Sequence, residues 1–229
     1  MLISIIIPVL NEAERVGSLV RYLLENGGPA VAEILVVDGG SKDDTVRLAD
    51  EAGATVLPCP VCSRAAQMNT GARAAKGDIL YFVHADTLPP RTFAADIEAG
   101  LAAGYVMGCY RYKFDSPHFL LKINAFFNRF HFLWCQGGDK TFYIRREIFF
   151  ELGAYDEHYT IMEEYDFLRR AMPRYPLLII PKYAIASSRK YIQNGWLRVQ
   201  YANAVVFRMF RRGAEPAEMK RVYRQLLRL

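Results

Sequence analysis

Cysteine is scarce in this chain of 229 residues: Cys59, Cys62, Cys109 and Cys135 are the whole supply. Cys59-Pro60-Val61-Cys62 has CxxC spacing, but a zinc site needs a second pair nearby, and Cys109 and Cys135 form none. Neither a metal cluster nor a disulfide framework is expected. No stretch reaches the roughly 18 uninterrupted apolar residues that span a bilayer. Met1-Leu2-Ile3-Ser4 runs straight into an apolar strand, without the basic segment that opens a signal peptide. The expected compartment is therefore the cytoplasm, where thiols stay reduced. A Walker A loop is missing and no G-x-G-x-x-G follows a strand, which argues against an ATPase and a nicotinamide dehydrogenase. The excess of one charge is small: 29 basic against 24 acidic residues leave +5, too little for a dedicated nucleic-acid binder.

Apolar residues are plentiful, at 52%, so one domain with a sizeable core is expected. The first hundred residues alternate short apolar runs with helical patterns, the rhythm of a parallel sheet. Strands are predicted at Ile3–Val9, Glu33–Val37, Ala54–Leu57 and Ile79–Val83. Helices are predicted from about Glu12, from Ser41 or Asp43, and over Arg64–Lys76 with Ser63 as cap. Thr92–Leu101 reads as a helix and Tyr105–Tyr112 as extended chain. The segment Phe119–Trp134 is crowded with aromatics. A strand near Thr141–Ile144, helices near Arg146–Leu152 and from Glu163, and the apolar run Leu177–Ile180 follow. Beyond Pro181 the pattern is helical.

In an open α/β sheet ligands gather at the carboxyl ends of the strands, and there the chain places Asn11 and Glu12, Asp38, and His84-Ala85-Asp86. Asp38 can accept a hydrogen bond from a nucleobase imide, although Asp-Gly-Gly is also ordinary turn chemistry. Asp86 is a hard oxygen ligand of the kind that suits Mg²⁺ or Mn²⁺ with substrate phosphates. His84 can bond the ligand or pack beneath it. Arg64, at the start of a helix, is placed for a phosphate or for solvent. Glu163-Glu164-Tyr165-Asp166 sets three carboxylates in four residues. One of them could be a general base with a raised pKa, or the acids could serve the helix amino terminus.

Taken in order, these pieces resemble the family-2 inverting glycosyltransferases of the GT-A fold. Ser4 to Glu12 is similar to that family's opening strand and donor loop, and Val36 to Thr45 to its base-binding strand end. Arg64, Asn69, Gly71 and Ala72 fit the helix before its metal motif, and His84-Ala85-Asp86 stands where the family has Asp-x-Asp. Gly138-Asp139, Arg145-Arg146 and Gly153 fit the acceptor-side segment, and Glu163-Glu164 its Glu-Asp pair. His84 to Thr87, Ser187 to Lys190, and Gly195 are similar to a compact bacterial subgroup without transmembrane segments. Two positions depart: His84 replaces the first Asp, and Glu164, one methylene longer, replaces the catalytic Asp.

The resemblance implies a Rossmann-like, mostly parallel mixed sheet flanked by helices, with a helical C-terminal extension. Residues 1–112 would be the nucleotide-sugar half, 113–186 the acceptor-side half, and 187–229 a basic extension. It implies transfer from a nucleoside-diphosphate sugar with inversion, Glu164 as base, and Asp86 holding Mn²⁺ or Mg²⁺. Pro8, Asn11, Glu12, Asp38, Arg64 and His84 would bind the donor. Asp139, Arg145, Glu163 and Asp166 would line the acceptor side. A sugar nucleotidyltransferase would need a Gly-rich basic loop after the first strand, which Val9 to Ala13 does not offer; a non-catalytic sugar-nucleotide binder is the other rival. Phe119 to Phe130, with Lys122 and Arg129 interleaved, reads as core, as a homodimer contact, or as a peripheral membrane surface at the inner face serving a lipid-linked acceptor. Residues 208–229 carry seven basic and two acidic side chains, the whole of the excess charge. Such a tail suits an anionic surface or a solvated helix.

Overall fold

In a computed structural model of the chain, which describes residues 1–137 and 140–227, β1 (Ile3–Val9) runs between two separate cores. Its side chains alternate, as strand geometry requires. Ile5, Ile7 and Val9 face α1 (Val16–Gly27) and α4 (Phe93–Ala102), where Val16, Leu19, Val20, Leu23, Phe93 and Ile97 are buried. Ile6 faces the other way, into a core with α3 (Arg64–Ala74) and α7 (Glu163–Ala171), which supply Ala65, Met68, Phe167 and Leu168. With both faces covered, the strand reads as a continuous apolar run. Gly71 lets α3 sit close: a Cβ there would lie 2.5 Å from the Ile6 Cγ2.

Eight strands form one sheet in the order β3-β2-β1-β4-β7-β6-β8-β5. The remaining strands are β2 (Val31–Asp38), β3 (Thr55–Pro58), β4 (Ile79–Phe82), β5 (Thr87–Leu88), β6 (Met107–Phe114), β7 (Phe142–Arg145) and β8 (Leu177–Ala186). β1 pairs in parallel with β2 and β4, β2 with β3, and β6 with β8, while β7 runs antiparallel between β4 and β6. The carboxyl ends of β1, β2, β4, β6 and β8 therefore share one edge. Two-residue β5 pairs with the end of β8, Thr87 opposite Ala186. The segment 83–86 thus carries the chain from β4 across to β8 along that edge.

Three local expectations are corrected. The first helix starts at Val16, not Glu12, because Asn11 adopts φ 55° and the next residues turn back onto the loop after β2. Ser63 stands at the amino end of α3, but its hydroxyl makes no capping bond. Beyond Pro181, where helix was expected, the strand that opens at Leu177 continues to Ala186. The pairing steps from Tyr110–Ile180 to Arg111–Tyr183, so Pro181 and Lys182 form a bulge. A bulge is where a strand tolerates a proline that lacks its N–H.

Two short helices, α2 (Thr45–Glu51) and α6 (Arg146–Glu151), flank the sheet, and α5 (Phe119–Phe127) buries only Leu121, so the aromatic stripe is not core. After β8 come α8 (Arg189–Asn194), α9 (Trp196–Arg211) and α10 (Pro216–Leu226). α9 buries Val199, Ala202, Val206 and Phe210, and packs with Met219 of α10, so the C-terminal helices are docked.

Candidate active site

Two loops meet where β1 and β2 end. The Asn11 amide donates to the Ser41 hydroxyl at 2.8 Å, and the Asn11 side-chain oxygen accepts from the Lys42 amide at 2.8 Å. The Glu12 amide donates to Thr45 Oγ1 at 2.8 Å. Asp38, almost fully buried, accepts from the amides of Gly40 at 3.0 Å and Ser41 at 3.1 Å. Gly40 sits at φ 95°, a conformation that side chains rarely adopt. One face of the Asp38 carboxylate thus holds its own turn: Oδ2 accepts from both amides and Oδ1 from Ser41 alone, so Oδ1 keeps a lone pair to offer. Beneath both loops Gln67 donates through Nε2 to the carbonyls of Val9 and Val37, each at 2.8 Å.

On the neighbouring strand end, the His84 Nε2 lies 3.0 Å from Glu164 Oε1, and both side chains are largely buried. Burial alone would lower the imidazole pKa, but the hydrogen bond and charge of Glu164 raise it. For Glu164, burial pushes upward, and the bond and charge from His84, with Arg64, bring the carboxyl below its ordinary value. Glu163 differs. Its carboxyl is 4% exposed and lies 3.3 Å from the Arg64 Nε, yet burial outweighs that cation and raises its pKa. Two adjacent carboxyls are thereby driven apart, Glu164 toward the ionised form and Glu163 away from it. Met162, just before them, adopts the left-handed φ of 69°. Strain of this kind persists where surrounding structure enforces it.

Asp86 is half-buried, and its carboxylate makes no hydrogen bond or ion pair with a described residue; its backbone carbonyl accepts from Ser187 at 3.1 Å. Among the described residues no three His, Cys, Asp or Glu side chains are arranged to hold a metal by themselves. An ion here would need substrate oxygens to complete its shell, as Mg²⁺ commonly does. Across the crevice, Arg189 reaches Glu12 at 3.2 Å.

A cleft of about 1140 Å³ opens at Arg64, Glu163 and Glu164. Its other walls include α5, the turn after it, α8 and α9, with Ile123, Phe127, Trp134, Trp196 and Phe207 apolar and Lys190, Arg208, Arg211 and Arg212 basic.

Residues 4–167 match Glycosyl transferase family 2. The chain belongs to that family. It is 34% identical over 96 residues to the glucosyl-3-phosphoglycerate synthase of Mycolicibacterium smegmatis, covering 38% of this chain and 32% of that protein. It thus spans about a third of the length of such curated relatives. Among solved structures it is similar to a mannosyltransferase from Pyrobaculum calidifontis in complex with GDP-Man and Mn²⁺, with TM-score 0.69, 20% identity, and coverage of 96% of this chain and 67% of that one. It is also similar to glucosyl-3-phosphoglycerate synthase from Mycobacterium tuberculosis with Mn²⁺, UDP and glucosyl-3-phosphoglycerate, with TM-score 0.64, 18% identity, and coverage of 93% and 80%. These likenesses establish the fold, the GT-A-type mixed sheet with helices on both faces.

Within this family-2 frame the structure brings Glu164, Glu163, Arg64 and His84 together, and sets Pro8, Asn11, Glu12, Asp38 and Asp86 on the same sheet edge. Asp166 is one turn into α7 but turns to Arg169 at 2.8 Å and Arg170 at 2.9 Å, so it braces the helix. Arg145 is not brought to the cluster. It pairs with Ile79 at the amino end of β4, the opposite edge of the sheet from His84. Asp139, like Gly138, lies outside the described residues. Sequence reasoning missed Gln67 and the buried Lys140, whose Nζ bonds Gln136 Oε1 at 2.6 Å and the Asn128 carbonyl at 2.8 Å. Gln67 left a faint signal, a polar residue one turn after Arg64 on an alanine-rich helix; Lys140 left none. The part of α9 in the cleft wall was also missed, because nothing local says where a C-terminal helix docks.

Proposed function

We propose that the chain transfers a sugar from a nucleoside-diphosphate donor to an acceptor hydroxyl in the cleft, in one displacement that inverts the anomeric centre. The carrying observation is the His84–Glu164 pair, whose carboxylate lines the cleft, on the edge where β1, β2 and β4 end. Asp38, with Pro8, Asn11 and Glu12 around it, takes the base and ribose, its Oδ1 accepting an imide N–H. Arg64 takes the diphosphate. The unengaged carboxylate of Asp86 fits a single protein ligand for Mn²⁺ or Mg²⁺, the rest of the shell coming from the donor. When bound, such an ion neutralises charge on the leaving diphosphate as a Lewis acid.

The remaining chemistry belongs to the side chains. Ionised Glu164 takes the proton of the acceptor hydroxyl. The oxygen pair so released forms the bond to the anomeric carbon as the carbon–oxygen bond to the diphosphate breaks, and the nucleoside diphosphate departs. His84 holds the carboxylate in place, which matters because small misplacements of a base are costly. The divalent ions and nucleotides in the similar solved structures support this reading. The apolar and basic walls suit an acceptor with a hydrocarbon part and a phosphate, a lipid-linked hydroxyl compound.

A thermal-shift screen of UDP- and GDP-sugars with and without Mn²⁺ finds the donor, since a ligand of the folded state stabilises by mass action. Release of nucleoside diphosphate from that donor then tests transfer. A donor that stabilises the protein and is never turned over, even to water, removes the catalytic reading and leaves a sugar-nucleotide binder.

A further inference from the structure

Among the described residues, seven large apolar side chains are more than half exposed, and six lie in two segments: Phe119, Phe132, Trp134, Ile192, Leu197 and Tyr201. The two segments are joined at Asn124 of α5, which donates to the Tyr191 hydroxyl of α8 at 3.1 Å and accepts from the Trp196 indole of α9 at 3.2 Å. The exposed rings are continuous. Phe126, Phe127 and Phe130 lie 5.6–6.2 Å apart, Phe127 meets Trp134 at 5.6 Å, and Phe132 stacks on Trp134 at 6.3 Å. The cleft is lined by residues of these same elements, Ile123, Phe127, Trp134, Tyr191 and Trp196 among them. Folded proteins scatter exposed apolar side chains singly; a contiguous set marks a contact surface.

Charge selects the partner. Over residues 116–137 and 187–214 there are eight Lys and Arg and no Asp or Glu. The Arg129 guanidinium lies 4.2 Å from the centre of the Phe126 ring, an arrangement that lets the ring face downward while the cation stays at the level of headgroups. A second copy pairing through this face about a twofold axis would set the cations against themselves.

We propose that α5, the turn after it, α8 and the start of α9 dock the protein on an anionic phospholipid bilayer, with the cleft facing the lipid headgroups. The consequence, delivery of a lipid-linked acceptor into the cleft, rests on the transferase reading; the docking does not. Aromatic and aliphatic side chains enter the interface while the basic ones meet lipid phosphates.

Vesicles of mixed phosphatidylglycerol and phosphatidylcholine, and of phosphatidylcholine alone, are sedimented with the full chain, without donor. The protein pellets with the anionic vesicles and is released by high salt. The double variant Ile192→Ser, Leu197→Ser removes two outward side chains, 77% and 76% exposed, that lie outside the cleft lining. It lowers partitioning by at least about tenfold, since each such side chain is worth about a factor of ten when buried. Its circular dichroism and its hydrolysis of donor in vesicle-free solution stay at wild-type values. Absence of wild-type pelleting with anionic vesicles overturns the proposal, as does unchanged pelleting of the variant. A dimer in sedimentation velocity that the variant dissociates, with no vesicle binding, overturns it in favour of a second copy. Absent donor hydrolysis by the wild type would count against the transferase reading and leave the vesicle result standing.

Discussion

Replacing Glu164 by glutamine keeps the length and shape of the side chain and removes its charge. The Glu164 Oε1 lies 3.0 Å from the His84 Nε2. At an effective dielectric of about 20, a charge pair at that separation interacts by roughly 5 kcal/mol before desolvation is subtracted. Desolvation of two nearly buried groups consumes much of this. Neutral histidine can still bond the glutamine amide, so the fold survives. The lost function is proton acceptance, worth about 10²–10⁴ in rate, or roughly 3–5 kcal/mol of barrier. Single-turnover formation of nucleoside diphosphate should fall by that factor. Donor affinity from calorimetry should stay within about threefold, because the Asp38 and Asn11 loops have no bond to Glu164. The neighbours serve as controls. Asp166→Asn loses bonds to Arg169 and Arg170 and should cost about 1.5–3 kcal/mol of stability with little effect on rate. If Glu163→Gln or Asp166→Asn lowers turnover as far as Glu164→Gln does, Glu164 is not the base.

Asp86→Ala, or EDTA with the wild type, should abolish the Mn²⁺-dependent part of donor binding in calorimetry; undiminished affinity in both takes the ion out of the reaction. Glu163 has a folded pKa above its unfolded one, so its contribution to stability declines as pH rises through that interval and is a full penalty above it. Glu163→Gln should therefore be at least as stable as wild type at neutral pH, with the difference vanishing as pH falls below the ordinary carboxylate range; a less stable variant at neutral pH contradicts the sign. Gly71→Ala should cost about 1–3 kcal/mol in urea unfolding, since the added Cβ would meet the Ile6 Cγ2 at 2.5 Å.

Much of the sheet could be read in advance because its strands are short, apolar and covered on both faces, as Ile3–Val9 and Ile79–Phe82 are. Strand ends carry ligands in such sheets, so Asp38, His84 and Asp86 were legible as a group. What could not be read was long-range. The contact between His84 and Glu164 spans 80 residues, and no pattern in either segment encodes it. The continuation of β8 past Pro181 is not legible locally, because a proline ordinarily ends a strand and only the partner β6 reveals the bulge that admits it. Arg145 follows the acceptor-side segment in sequence, yet antiparallel β7 carries it away, a direction that local composition does not fix. The exposed stripe of α5 had the spacing of a core helix, and periodicity alone does not say which face meets solvent.

The stitching between the loops after β1 and β2 has a kinetic side. The amides of Asn11, Glu12, Ala13 and Lys42 belong to no helix or sheet, yet each is tied to a side chain about thirty residues away. Loops of this type ordinarily flicker open and trade their protons with solvent quickly. Here opening one loop would strand donors and acceptors on the other, so the two should open only together, and rarely. Their amides should exchange as slowly as those of the adjoining strands before any nucleotide arrives. The entropy of ordering them has then been lost during folding, and association need not bear it again.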